Sequence, residues 1–230
     1  KGISKRFSLF SSFKWNGPIV KQVLSISTPL IFQLAVSLMS WEFFYILVEH
    51  HGQEALAISN VMRNIFGLIG CVTWSFAATT AAMVSNIIGQ GKHEKVHSLI
   101  LKIISISTGA AFILCVIINL FPETLLSAFG QNESFIQHAV PVVRVLTLAV
   151  VLMSFSTIWL NAVTGTGNSR ITLLIEVITI ILYCIYVYLI LEKFFLSITF
   201  GWMSEWLYWI SLFSFSFLYM RSGKWKTKVI

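Results

Sequence analysis

The chain has 230 residues, 57% of them apolar and 11% charged, with a mean hydropathy of +0.83 and a formal net charge of +7. A soluble domain averages about 45–50% apolar and about 25% charged residues, so this chain lacks the polar surface a soluble domain needs. Abundant Leu, Ile, Val and Phe exclude a disordered chain, and the class that remains is an all-α, polytopic membrane protein.

The first 21 residues carry Lys1, Lys5, Arg6, Lys14 and Lys21 between Phe7, Phe10, Phe13 and Trp15. Residues 1–21 read as a basic cytoplasmic segment, either a helix lying on an anionic membrane surface or a plain linker. They lack the apolar run and small-residue cleavage site of a signal peptide. A start at Lys1 rather than Met is expected of a piece of a longer protein.

Six apolar stretches follow, roughly Val23–Val48, Ala55–Ile88, Ile103–Phe121, Phe135–Val163, Ile171–Leu191 and Phe194–Met220. Each has about the 20 residues a bilayer crossing takes, and the second and fourth are long enough to tilt or protrude. Residues 22–221 are expected to form a six-helix transmembrane lobe and 222–230 a tail. Alternate segments outside the spans hold 13 basic residues, whereas the intervening loops hold Lys193 alone. The positive-inside rule then places both termini in the cytoplasm of a cell, with the chain crossing the inner membrane. Basic residues split among separate loops do not suit nucleic acid, and membrane lipid is the expected partner. Six spans that begin and end on one side can be duplicated in tandem into two lobes. No repeat is visible within the chain, so a second lobe, if there is one, lies outside it.

Ionisable groups inside spans are costly and mark functional candidates: here Glu42, Arg63, Arg144, Glu176 and Glu205. Glu42 should lie about 10 Å and Arg63 about 13 Å below the outer ends of two antiparallel neighbours, at similar depth. Asn60 and Asn64 flank Arg63 and Gly67 continues the stripe, which should face protein or a watery cavity. Two readings stand for Glu42: a carboxylate that takes up a proton beside a polar cavity, or half of a buried Glu–Arg pair that fixes packing. Arg144, in the outer half of the fourth span, and Gln33, in the first, join the candidate pathway. Glu205, beside Trp202, Trp206 and Trp209, is the second candidate for a titrating group. Glu176, six residues from Arg170 at the inner boundary, reads as a side chain snorkelling to the interface.

Aromatic residues make up 14% of the chain, and Tyr183, Tyr186 and Tyr188 suit either an interfacial belt or a site for cationic amphiphiles. Pro29 and Pro141 are candidate bends. The turns Gly89-Gln90-Gly91-Lys92 and Gly165–Arg170 lack the spacing of a phosphate loop and read as helix C-caps. Cys71, Cys115 and Cys184 lie in apolar stretches as packing residues. His93 and His97 are spaced for one helix face, but no ligand set for a metal accompanies them, and no resident cofactor is expected. Without a nucleophile–base pair in the spans, an enzyme is not expected.

The residues also resemble a known family, the multidrug and toxic compound extrusion (MATE) transporters, over nearly the whole chain from about Ile19. The likeness runs through Pro29, Gly52 with Glu54-Ala55-Leu56-Ala57, the ending Val84-Ser85-Asn86-Ile87-Ile88-Gly89-Gln90-Gly91-Lys92, the Gly165–Arg170 turn and Ser222-Gly223-Lys224-Trp225. It implies the C-terminal half of a twelve-helix antiporter that exports small cationic or amphiphilic compounds against protons or sodium by rocking two lobes. The N-terminal six-helix lobe is then a missing partner. Sodium-coupled members resemble this chain except that they carry a Glu about eight residues after the proline, where Ser37 stands here. They also carry an Asp in the fourth span, where this chain has Ser154 and Ser156; it contains no Asp at all. The alternatives are a flippase for lipid-linked or polysaccharide precursors, which Arg63 and Arg144 would suit, and a membrane scaffold without transport activity.

Overall fold

The computed structural model describes residues 16–130 and 132–227; the basic residues at positions 1–14 and Lys228 lie outside them. Helix α1 (Gly17–Glu49) begins after an extended Asn16, whose side chain accepts a hydrogen bond from the Ile19 N–H at 3.4 Å. Pro18 fits the first turn, where a backbone donor has no partner to lose. The expected basic segment thus ends in helix, with Lys21 already on α1. Helix α2 (Gln53–Gly89) closes as the sequence predicts. Gly91 takes φ +74°, its N–H donates to the Ile88 carbonyl at 2.8 Å, and the Lys92 N–H donates to Ile87 at 3.1 Å.

After a 3₁₀ turn (His93–Lys95) comes α3 (Val96–Leu120), seven residues ahead of the predicted start. Val96, Ile100 and Ile103 are buried at helical spacing while His97, Leu101 and Lys102 stay exposed, so this end is an amphipathic helix that an apolar-run criterion misses. The third connection, expected as a loop, contains a short helix α4 (Pro122–Ser127), opened by Pro122 and carrying Glu123 in its first turn. Helix α5 (Glu133–Gly165) is capped by Asn132, which accepts from the Phe135 N–H at 2.9 Å. Pro29 and Pro141 both sit inside unbroken helices.

Helix α6 (Ser169–Val187) continues as a π-helix (Tyr188–Lys193). The chain then turns through Phe195, the one residue other than glycine with positive φ (+48°) among those described. Helix α7 (Ile198–Trp202) and helix α8 (Ser204–Arg221) follow, and a 3₁₀ turn (Lys224–Thr227) ends the described chain. Among the described residues, five helical stretches are long and apolar enough to cross a membrane. The stretch expected as a sixth span is not among them and differs from its predicted continuous form. It is assembled from α7 and α8 across Met203, where the Met203 N–H reaches Phe200 and the Trp206 N–H reaches Met203 in tight turns. Ser204 and Glu205, polar and buried, open α8 at this break, where the helix dipole favours an acid.

α5 is the buried axis of the bundle, with Val142, Leu146, Ala149, Val150 and Met153 enclosed by α2, α3 and α8. α1 packs on α6, and α6 on α8, while Ile31, Phe32, Leu34, Leu38 and Met39 of α1 remain exposed. Such apolar exposure suits a bilayer or a second protein surface, not water. One end of the bundle is tied by His50 to Glu192 (2.9 Å), His51 to the Leu191 carbonyl (2.9 Å) and His138 to Glu54 (2.8 Å). His93 and His97 part company: one ring lies on Trp225, the other on Trp159.

Helices α2 and α5 are in close contact at Gly165, where a Cβ would stand 2.7 Å from the Ala81 carbonyl oxygen and 2.9 Å from Val84 Cβ. Gly165→Ala is expected to push these helices apart and cost about 1–3 kcal/mol, seen as a lower unfolding midpoint of the purified chain in detergent.

Candidate functional site

On α1, Gln33, Ser37 and Trp41 recur every four residues and so share one face of the helix. That face meets α6 at Glu176 and α8 at Tyr208. Glu176 is 2% exposed: the Gln33 Nε2 donates to its Oε2 at 3.3 Å, the Tyr208 hydroxyl donates to its Oε1, and Ser37 lies beside both. A carboxylate so deep in an apolar bundle is tolerable only with such donors. Its position, seven residues after Ser169, is about 10 Å along the helix, and it turns inward to α1 and α8 rather than outward to the membrane surface. The snorkelling reading is therefore corrected.

A second buried carboxylate lies on α8. Glu205 is 4% exposed and accepts a hydrogen bond from the Trp209 Nε1 at 3.0 Å. Trp209 in turn meets the Tyr208 ring edge-on at 4.6 Å, and Tyr208 meets Tyr183 at 6.0 Å. Adjacent aromatic residues of one helix thus hold the two carboxylates, and Tyr183 completes the layer. Tyr186 and Tyr188, by contrast, lie partly outside, and the Tyr186 hydroxyl donates to the Phe200 carbonyl at 3.1 Å.

A cavity of about 730 Å³ borders this layer. α1 contributes Leu34, Ser37, Leu38 and Trp41; α2 contributes Arg63, Asn64, Phe66, Gly67, Leu68, Cys71 and Trp74; α8 contributes Tyr208 and Trp209. The Arg63 guanidinium lies over the rings of Trp41 (5.5 Å) and Tyr45 (5.3 Å). Those residues flank Glu42, so the equal-depth expectation for the two helices agrees with the packing. The Tyr45 hydroxyl donates to the Ser59 carbonyl at 2.9 Å and fixes the ring that Arg63 covers.

The other expected site residues divide. Asn64 lines the cavity, Asn60 is exposed one turn earlier on α2, and Glu205 and Gln33 belong to the buried layer. Glu42 is exposed, is not among the cavity residues, and has no cation within 4.0 Å among the described residues. Arg144 lies in a separate groove between α3 and α5 with Asn119 and Thr147, so it does not share a chamber with Arg63. The residue the sequence reading passed over is Glu176. The available signal was Gln33 and Ser37 on one face of an otherwise apolar span, which calls for a polar partner.

The chain was compared with known proteins. A family model described as MatE matches residues 29–189. A probable multidrug resistance protein NorM of Thermotoga maritima is 23% identical over 221 residues, which are 94% of this chain and 47% of that protein. Among solved structures, a MATE protein in its straight conformation superimposes with a TM-score of 0.83 at 16% identity, covering 94% of this chain and 49% of that one. The Vibrio cholerae MATE transporter VcmN in its bent form gives 0.81 at 16%, covering 89% and 47%. The fold is therefore that of MATE transporters, and the chain spans about half the length of the proteins it matches.

A hydrogen bond to a charged group contributes about 1.5–3 kcal/mol, so Tyr208→Phe is expected to destabilise the chain by about that amount. Tyr186→Phe, which removes only a partly exposed bond to a carbonyl, should cost less. Thermal unfolding of the two variants in detergent checks the order.

Proposed function

Because the chain belongs to the MatE family of membrane transporters, we propose that it is the C-terminal six-helix lobe of a twelve-helix, ion-coupled exporter of small amphiphilic compounds, with Glu176 as the ion-binding carboxylate. In this reading it sits in the inner membrane with both termini in the cytoplasm, beside an N-terminal lobe that supplies the other wall of the transport pathway. The observation that carries the proposal is the buried Glu176 carboxylate held by Tyr208, Gln33 and Ser37, two of which also wall the cavity.

Ser37 stands where the resemblance implies a Glu in sodium-coupled relatives. The acid beside that place is supplied by α6 instead. A proton or sodium ion arriving at Glu176 neutralises it and changes what Tyr208 and Ser37 must do. With the ion bound, the Tyr208 hydroxyl is no longer required to face an anion and becomes free to face the cavity. With the ion gone, it is drawn back. Ion occupancy therefore favours one arrangement of the wall and substrate the other, which is what antiport requires. Moving one charge inward across the membrane yields about 2.3 kcal/mol per 100 mV, a sufficient drive for export.

The test is efflux of a fluorescent amphiphile from vesicles containing this chain together with its N-terminal lobe, driven separately by a sodium and by a pH gradient. Glu176→Gln should cut gradient-driven efflux about a hundredfold while leaving membrane insertion intact, the loss expected when a group essential to coupling is removed. Glu42→Gln should retain efflux. Undiminished transport by Glu176→Gln would remove that carboxylate from the mechanism.

A further inference from the structure

Among the described residues that line the cavity there is one charged side chain, and it is a cation. Of the residues that line it, Arg63 alone is ionised; Glu42 is not among them, and Glu176 lies behind Tyr208 and Ser37. We propose that the cavity selects amphipathic organic anions, an aromatic ring system bearing a carboxylate or sulfonate, with Arg63 as the residue that receives the anionic group. The proposal rests on the exporter reading for its physiological role, and it names the substrate class of that same cavity.

Three features carry the argument. An aromatic cage attracts a cationic ligand through open ring faces. Here Arg63 already lies over Trp41 and Tyr45 at 5.5 and 5.3 Å, so a ligand cation approaching those two rings would meet a fixed cation. The two cation–π contacts also favour one placement of the guanidinium. A preorganised fork suits a bidentate carboxylate or sulfonate at a smaller entropic cost than a freely rotating side chain. No acid lies within 4.0 Å of Arg63 among the described residues, so its charge is available to an incoming anion.

Beside Arg63, Asn64 adds an amide to the wall, while Trp74, 45% exposed, presents a ring for stacking. A volume of about 730 Å³ suits a molecule of a few fused rings. The remaining lining is apolar, which matches an amphipathic ligand and disfavours a multiply charged, fully polar one.

The test is isothermal titration calorimetry of the purified chain in neutral detergent with three probes: naphthoate, naphthylmethyl-trimethylammonium and octanoate. Naphthoate should bind at least about tenfold more tightly than the quaternary ammonium, and Arg63→Gln should abolish that preference. Arg63→Lys, which keeps the charge but loses the fork, should restore part of it and shows that the cavity still folds. Equal or tighter binding of the ammonium probe overturns the proposal. So does an unchanged preference in Arg63→Gln. Octanoate binding as tightly as naphthoate would mark the cavity as a site for lipid-like chains and overturns the aromatic requirement. The measurement needs no ion gradient, so naphthoate binding without efflux would count against the exporter reading alone.

Discussion

The structure depends on the demand of one buried carboxylate for donors. Glu176 sits inside an apolar bundle and is satisfied from two other helices: Gln33 with Ser37 on α1, and Tyr208 on α8. In a medium without water an unmet demand of this kind costs several kcal/mol, so the three helices can separate only if the carboxylate is neutralised or finds another partner. Much of the outward surface of α1 is exposed. Its seam with α6 is consequently where this polar contact has the greatest leverage on the position of the helix.

The interruption of the sixth span serves the same region. By ending α7 at Trp202 and restarting at Ser204, the chain turns Trp202 towards α1 and α2 and places Glu205 in the first turn of α8. Trp202 then packs edge-on against Trp41 and Phe44, and its Nε1 donates to the Ser59 hydroxyl at 3.2 Å. At i, i+3 and i+7, Trp202, Glu205 and Trp209 keep the spacing of one helix face, and the tight turns at Met203 leave all three buried.

Much of the architecture was legible in the sequence because a membrane span announces itself locally. Long apolar runs gave the first five spans, and glycines gave the ends of α2 and α5. The sixth span was less clear because its polar residues, Ser204 and Glu205, sit at a break that no local signal marks. Depth along a helix put Arg63 at the level of Glu42, and Arg63 lies over Trp41 and Tyr45 on either side of that residue, but depth does not say which face Glu42 takes. Next to Trp41, and about 100° round the helix from it, Glu42 falls outside the packed seam. For Glu176, depth does not distinguish a snorkelling side chain from a buried one, and the polar face of Gln33 and Ser37 on α1 calls for a partner without saying which residue supplies it. The distinction lies in Tyr208, 32 residues away, and Gln33, 143 residues away.

Tyr208 and Ser37 belong to two structures at once. Each lines the cavity, and each touches the Glu176 carboxylate. On the proposed function, an ion at Glu176 and a ligand against the same wall would compete for the orientation of the same hydroxyl groups, without any long pathway between two sites. Coupling of this kind is reciprocal: whatever the ion does to ligand affinity through Tyr208, the ligand does to ion affinity. On the proposed reading Arg63 faces the ligand across the cavity, on α2, a helix that supplies no donor to Glu176. The cation that chooses the ligand and the acid that binds the ion thus stand on different helices, so substrate class can change by substitution on α2 while the coupling contact on α1, α6 and α8 stays in place.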